Sequence, residues 1–248
     1  METASSVGAL AGRKKLVNPN SGAPRWRTPF IGVPVRTDDE VRDGPLAFLI
    51  EMVPNSVLPP HFHPVDQYQV FVSGSGTLGK HPANGIAIHY ADRHTAYGPI
   101  TAGPHGVAYF TLRAKTDGRG VFLSKPGARE QLKPSKRRFH MIDGIVLAVP
   151  PVLAELVEPV TEQLLGAEGE DGPASFMLRM GAGASMRGPA PSRSGGQYYL
   201  IVSGALRHDG SDLPVWSLLF AAPGEPAPTL AAGPAGAEVL VLQFPVPS

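Results

Sequence analysis

Apolar and polar residues alternate over short stretches of this chain, which is the pattern of β-strands that bury one face. Leu46, Phe48 and Ile50 alternate within Pro45–Met52, and Gln67–Ser73 has the composition of a fully buried strand. Further strands are predicted at residues 30–35, 86–90, 94–97, 106–113, 174–180, 197–206, 215–222 and 237–244. Turn-forming glycine and proline residues separate these stretches, so the pattern predicts an all-β protein.

The strand pattern occurs twice along the chain. The recurring segments are Gln67–Gly74 with Gln197–Gly204, Thr101–Gly106 with Ala231–Gly236, and, more loosely, Phe48–Met52 with Phe176–Met180. The first two pairs share an offset of 130 residues and the third has an offset of 128. Two segments with one common offset indicate an internal duplication. The chain is therefore expected to contain two similar units in tandem.

Length and composition agree with two small β-domains. The chain has 248 residues, with 29 glycines, 27 prolines and only 17% charged residues, which favours many short strands joined by turns. We predict a flexible lead-in at 1–25, an N-terminal barrel at 26–125, a connector at 126–172 and a C-terminal barrel at 173–248. A short helix that proline ends is predicted within the connector, at residues 150–159.

Charge and cysteine content narrow the classes of partner. The formal net charge is +1, so no overall field would attract nucleic acid or an anionic membrane. No apolar run approaches the roughly 18–20 residues that span a bilayer. The chain has no cysteine, and its first residues lack a basic segment before an apolar core. We therefore expect a cytoplasmic protein in which any metal is bound by nitrogen and oxygen ligands.

Two histidines in the first unit have the spacing of metal ligands. His61 and His63 are two residues apart, so on an extended strand their imidazoles project to the same side. His105, in the second recurring segment, could supply a third imidazole from a neighbouring strand. In the second unit Ala235 replaces His105, and residues 189–193 contain no histidine. This difference predicts one working site and one copy that serves as a scaffold.

The same residues resemble the cupins, a family of jelly-roll β-barrels. The first cupin motif has two histidines separated by one residue, a spacer of three or four residues, a glutamate, six further residues and a glycine. His61, His63 and Gly74 match it, and Gln67 stands at the glutamate position. The segment Gly103-Pro104-His105 is similar to the second motif. The resemblance implies two tandem jelly-roll barrels with a mixed connector, and a degenerate C-terminal cupin domain.

The glutamine at the glutamate position changes the expected site. A neutral amide coordinates metals weakly and accepts no proton at ordinary pH. We predict a site of three histidines in which Gln67 is either a weak ligand or a hydrogen-bonding residue next to the ligands. Gln69 and Tyr109 are in phase with the ligands and are candidate catalytic residues, although both could also be core residues. The remaining histidines, His81, His89, His94, His140 and His208, are expected at the surface or in loops.

A three-histidine centre leaves a divalent metal with free coordination positions. With Fe(II), O₂ and a chelating substrate can bind together, which is the requirement of a dioxygenase. The leading prediction is an Fe(II) dioxygenase that acts on a small aromatic or dicarbonyl compound. A Zn, Ni or Mn isomerase or lyase is an alternative, and so is a metal-free module that binds a small molecule. A homodimer is also possible by analogy with other cupins.

Overall fold

The protein forms two compact β-rich units. The computed structural model describes residues 1–17, 24–35, 40–135, 139–166, 172–191 and 194–246. One unit contains residues 12–145, and the other contains residues 146–248 together with residues 1–11. The prediction of an all-β fold with two tandem jelly-roll barrels is confirmed. Among the described residues no helix is long and apolar enough to cross a membrane.

The elements of the first half, in chain order, are β1 (Glu2–Ala4), α1 (Ser6–Leu10), β2 (Lys14–Val17), β3 (Pro24–Ile31), β4 (Val41–Met52), β5 (Val57–Leu58), β6 (His61–Phe62), β7 (Gln67–Leu78), β8 (His81–Pro82), β9 (Ile86–Ala91), β10 (Ile100–Asp117) and β11 (Val121–Phe122). The elements of the second half are a 3₁₀ turn (Arg129–Gln131), β12 (Phe139–Ile145), α2 (Pro150–Ala154), β13 (Val160–Leu165), β14 (Ala174–Met180), β15 (Ser185–Arg187), β16 (Gln197–His208), β17 (Ser211–Pro214), β18 (Leu218–Ala221) and β19 (Thr229–Gln243).

The N-terminal barrel is built on an antiparallel sheet with the strand order β12-β9-β7-β10-β4-β3-β2. Strands β6 and β11 form a separate two-stranded sheet. Side chains alternate between the two faces of a strand, so Phe71 of β7, Tyr109 of β10 and Ile50 of β4 share the inner face and belong to one apolar cluster. The polar residues of β7 and β10 that are in phase with them must therefore also lie inside the barrel.

The C-terminal barrel has the order β1-β18-β16-β19-β14-β13, and its edge strand comes from the start of the chain. Glu2–Ala4 pairs with residues 218–220, and the N-terminal amino group forms an ion pair with Glu225. The structure thus differs from the flexible lead-in predicted at 1–25, of which residues 18–23 lie outside the described residues. The backbone N–H and C=O groups along the edge of β18 can pair with a short extended segment, and β1 is that segment. Side-chain patterns in the sequence do not reveal such pairing.

The predicted connector is divided between the two barrels. Strand β12 closes one edge of the N-terminal sheet, and β13 closes one edge of the C-terminal sheet. The predicted helix is present as α2, which ends at Ala154, before the proline that we expected to end it. Residues 136–138 and 167–171 of the connector lie outside the described part of the chain.

The offset of 130 residues reappears in the strand registers. Gln67 lies opposite Ala91, as Gln197 lies opposite Ala221. Gly74 has φ +76° and Gly204 has φ +68°. A Cβ added at Gly74 would meet the backbone carbonyl oxygen of the facing strand at 2.2 Å, and one added at Gly204 would meet the equivalent oxygen at 2.0 Å. Both barrels therefore need glycine at the same bend.

Candidate functional site

The two histidines of the H-x-H segment lie together inside the N-terminal barrel. His61 is 5% exposed and His63 is 8% exposed, and their ring centroids are 5.4 Å apart. Backbone hydrogen bonds in both directions between His61 and Tyr97 fix the segment against the loop that follows β9. An added Cβ at Gly120 would lie 2.8 Å from Cδ2 of His61 and 3.0 Å from Nε2 of His63. The backbone at Gly120 therefore covers the pair closely.

Hydrogen bonds fix the protonation of both imidazoles. Nδ1 of His61 donates to the carbonyl oxygen of Pro59 at 2.9 Å, so its Nε2 accepts from the Tyr97 hydroxyl at 2.9 Å. Nδ1 of His63 donates to Asp117 Oδ2 at 2.7 Å. Burial and the neighbouring His63 lower the pKa of His61 to about 3, and burial together with Arg113 lowers the pKa of His63. Both imidazoles are neutral, with an Nε2 lone pair toward the barrel interior.

A buried arginine occupies the place next to these lone pairs. Nη2 of Arg113 donates to Nε2 of His63 at 3.0 Å and to Oε1 of Gln67 at 2.8 Å. Nη1 of Arg113 pairs with Asp117, and Arg113 is 3% exposed while Asp117 is fully buried. Burial raises the pKa of Asp117, but Arg113 and His63 together hold it below its usual value. Gln67 completes the network by donating to the Tyr97 hydroxyl at 2.5 Å.

His105 is not part of this cluster. It is exposed on β10, in a bulge where the pairing with β7 shifts between Ala102 and Val107. It lines a surface groove together with Trp26 and Glu51. Arg113 lies eight residues further along the same strand, which is roughly 25 Å at the rise of an extended chain. The three-histidine site that we predicted is thus not assembled, because the bulge breaks the alternation that would have turned His105 inward.

Gln69 and Tyr109 do line the barrel interior, as the alternation predicts. Gln69 is 2% exposed and its Oε1 accepts from Nδ1 of His89 at 2.9 Å. Tyr109 is 2% exposed and packs on Phe71, with ring centroids 5.3 Å apart. Burial raises the pKa of Tyr109 to about 12, so its hydroxyl is a hydrogen-bond donor at neutral pH. Whether either residue takes part in catalysis stays a prediction.

His89 was expected at the surface or in a loop and is fully buried instead. It lies between Ala87 and Ala91 on the inner face of β9, and its Nε2 has no hydrogen-bond partner. Burial and the nearby His81 and His140 lower the pKa of His89 to about 3. Because Nδ1 donates to Gln69, the unpartnered Nε2 is an acceptor that faces the interior.

Sequence reasoning missed Tyr97, Arg113 and Asp117. A signal for Arg113 was present in the duplication, because Arg113 follows Gln67 by 46 residues and Gln243 follows Gln197 by the same distance. In the C-terminal barrel Nε2 of Gln197 donates to Oε1 of Gln243 at 2.9 Å. The two positions are thus in contact in both barrels, and the N-terminal one carries a cation.

The residues at the centre do not fit a divalent metal. Among the described residues no group of three or more histidine, cysteine, aspartate or glutamate side chains could hold a metal ion. The two Nε2 atoms that would coordinate it already accept from Tyr97 and Arg113. The oxygen of Gln67 accepts from the same guanidinium, which would repel a second cation. We therefore derive no chemistry from a metal at this place.

At three inner positions a polar residue of the N-terminal barrel corresponds to an apolar residue of the C-terminal barrel. The registers match three inner positions, and the pairs are His89 with Leu219, Tyr109 with Val239, and Thr111 with Val241. Leu219, Val239 and Val241 belong to one hydrophobic cluster and are at most 1% exposed. The fold can therefore fill these positions with hydrocarbon, and it does not require the polar side chains of the N-terminal barrel.

No protein-family model matches this sequence, and no protein of curated function matches it either. Solved structures do share its fold. A candidate dioxygenase from Nostoc punctiforme is 11% identical with a TM-score of 0.58, and the match covers 99% of this chain and 83% of that chain. Salicylate 1,2-dioxygenase from Pseudaminobacter salicylatoxidans is 11% identical with a TM-score of 0.54, covering 81% and 70%. Oxalate decarboxylase from Bacillus subtilis is 11% identical with a TM-score of 0.55, covering 96% and 75%. At these identities the likeness is one of fold, and the chain has the jelly-roll cupin fold.

Proposed function

We propose that this protein binds a small organic molecule inside its N-terminal barrel, next to His61, His63, Gln67 and Arg113. The C-terminal barrel serves as a degenerate scaffold copy. The observation that carries this proposal is the contrast between matched inner positions, such as His89 with Leu219 and Thr111 with Val241. Buried polar groups weaken a core unless they have partners, so polar side chains that the fold does not need indicate a ligand.

The guanidinium of Arg113 is the cation at the centre of the proposed site. It is held by Asp117 and donates to both Gln67 and His63, so its position is fixed before any ligand arrives. The Tyr109 hydroxyl, a donor at neutral pH, and the unpartnered Nε2 of His89, an acceptor, offer hydrogen bonds to an organic molecule. The proposed site therefore needs no metal to bind its ligand.

Measuring the metal content of the purified protein tests whether the site works without a metal. We expect protein purified without chelators to hold less than about 0.1 metal ion per chain, because Arg113 and Tyr97 occupy the two imidazole lone pairs. Added Fe(II), Zn²⁺, Ni²⁺ or Mn²⁺ is expected to leave the thermal midpoint unchanged. The control is the His61→Ala/His63→Ala variant, which should hold as little metal as the wild type. Stoichiometric metal in the wild type that the double variant loses would overturn the proposal.

The place of binding is tested by the histidine ring signals in NMR spectra. A small molecule that raises the thermal midpoint in metal-free buffer is expected to shift the signals of His61, His63 and His89, because their rings line the barrel interior. The signal of His208, which lies in the C-terminal unit, is the internal control and should not move. Shifts confined to His208 or to His105 would place the ligand elsewhere and contradict the proposal.

A metal-dependent oxidoreductase is the second candidate. The observation that favours it is the shared fold with salicylate 1,2-dioxygenase and with oxalate decarboxylase, one structure of which is described with Mn(II) centres. In that case the predicted Fe(II) dioxygenase, or a Zn, Ni or Mn isomerase or lyase, would require Arg113 to leave Nε2 of His63. The metal analysis separates the candidates, and the identity of any bound metal separates the dioxygenase from the isomerase or lyase. The predicted cytoplasmic location and homodimer stay predictions.

A further inference from the structure

Two arginines of β3 face the inside of the N-terminal barrel. Arg27 lies opposite Ile50 and Arg25 lies opposite Met52 in the antiparallel pairing with β4. Residues that lie opposite each other in such a pair project to the same side of the sheet. Ile50 and Met52 belong to the buried inner cluster, so both arginine side chains leave the backbone toward the interior.

These arginines are partly buried and lack a counter-ion in the described structure. Of the described arginines that are not fully exposed, Arg113 pairs with Asp117 and Arg179 pairs with Glu162 and Glu238. No carboxylate oxygen of the described residues lies within 4.0 Å of Arg25 or Arg27. Removing an unpaired charge from water is unfavourable, so a half-buried arginine without a partner is a place where an anion would stabilise the protein.

Contacts on an aromatic ring hold one of these arginines in place. Cζ of Arg27 lies 4.0 Å from the ring centroid of Phe48, and Cζ of Arg113 lies 5.7 Å from the same ring. Both distances are within the range of cation–π attraction. The ring therefore orders the Arg27 guanidinium near Arg113, and less side-chain freedom remains to be lost when a ligand binds.

The charge balance of this interior is positive. Burial, Arg113 and Arg25 lower the pKa of Arg27 to about 10, which still leaves it charged at neutral pH. His61 and His89 are neutral, and the carboxylate of Asp117 is paired with Arg113. Arg27 lies opposite Ile50, and Leu178 is the residue of the C-terminal barrel that corresponds to Ile50. The residue opposite Leu178 is the exposed Thr161. Arg27 thus has no cationic counterpart at the matched position of the C-terminal barrel.

We propose that Arg25 and Arg27 bind the carboxylate of a small organic acid that enters the N-terminal barrel. This inference rests on the proposed function and adds the class of ligand. A guanidinium has a planar fork of N–H donors that matches the two oxygens of a carboxylate, and the pair of arginines can neutralise a mono- or dicarboxylate. The rest of the molecule would then contact the neutral hydrogen-bonding groups around Tyr109.

Calorimetric titration with benzoate and succinate tests the proposal, with benzamide and succinamide as the uncharged counterparts. We expect at least one carboxylate to bind the wild type and its amide to bind at least tenfold more weakly. Arg27→Gln and Arg25→Gln are each expected to weaken carboxylate binding at least tenfold, and Arg27→Lys by less, because lysine keeps the charge and loses the fork. Arg207→Gln changes an exposed arginine of the C-terminal unit and should leave binding unchanged.

Stability without ligand gives an independent readout. If Arg27 serves binding, Arg27→Gln removes an unpaired half-buried cation and should leave the thermal midpoint equal or higher. A lower midpoint together with unchanged carboxylate affinity would mean a structural role and would overturn the inference. It would also be overturned if neither carboxylate binds at millimolar concentration, or if inorganic phosphate binds more tightly than both. A metal at the His61–His63 pair would contradict the proposed function instead, so the two failures are distinguishable.

Discussion

Replacing Asp117 with Asn is expected to destabilise the N-terminal barrel by about 3–5 kcal/mol. The substitution preserves the shape of the side chain and removes only its charge. Asp117 is the carboxylate that the described structure places against the buried Arg113 guanidinium, which is 3% exposed. Without it the buried guanidinium loses this counter-charge, and the unfolded chain, in which water solvates Arg113, becomes relatively more favourable. Urea unfolding of wild type and variant measures the difference.

The C-terminal barrel suggests the matched control for this experiment. Its Gln197–Gln243 pair stands at the positions of Gln67 and Arg113 and is neutral. The double substitution Arg113→Gln/Asp117→Asn would give the N-terminal barrel a similar neutral pair. We expect it to retain about 1–3 kcal/mol more stability than Asp117→Asn alone, because the buried cation is removed together with its counter-charge. A double variant that is less stable than the single one would show that the ion pair is not the origin of the effect.

The pH dependence provides a second check with a defined sign. The pKa of Asp117 is lower in the folded protein than in the unfolded chain, where it is about 3.9. The folded state therefore binds the Asp117 proton less tightly, and the stability from this group is fully present above about pH 4. It decreases as the pH falls through the folded pKa. The difference between wild type and Asp117→Asn should thus be constant near neutral pH and decrease below about pH 4.

The alternation of side chains and the duplication were sufficient to predict two β-barrels and an inward-facing His61, His63 and Gln67. Alternation is a local property, so it survives wherever strands are regular. It failed at His105, where a bulge reverses the side that the residue faces. The same alternation along β9 turns His89 inward, although we expected this residue at the surface or in a loop. The same rule therefore predicted which side chains face the interior where the strand is regular, and it failed at the break in regularity.

Contacts between distant segments were the part that sequence could not supply. The backbone pairing of His61 with Tyr97 and the hydrogen bond from Gln67 to Tyr97 depend on how loops pack, which no periodicity encodes. The ion pair of Arg113 with Asp117 depends on the barrel excluding water from both groups. These contacts position Tyr97 and Arg113, whose donors occupy the imidazole lone pairs that a metal would need.

The largest effect outside the site is expected from placing an imidazole in the C-terminal barrel. Leu219 is 1% exposed, lies opposite Tyr199 and belongs to an apolar cluster with Phe176, Val239 and Val241. Leu219→His removes buried hydrocarbon and introduces polar nitrogens among apolar neighbours. We expect it to lower the free energy of unfolding by about 3–5 kcal/mol, as measured by urea unfolding.

The reciprocal substitution His89→Leu should change stability by no more than about 1 kcal/mol, because opposing contributions nearly cancel. It removes the unpartnered Nε2 and adds apolar surface to the interior, but it also takes away the donor to Oε1 of Gln69. If His89 were instead needed for folding, His89→Leu would be as destabilising as Leu219→His. A small effect on stability combined with a loss of ligand-induced stabilisation would identify the buried imidazole as a binding group, since the same fold accepts leucine at the matched position.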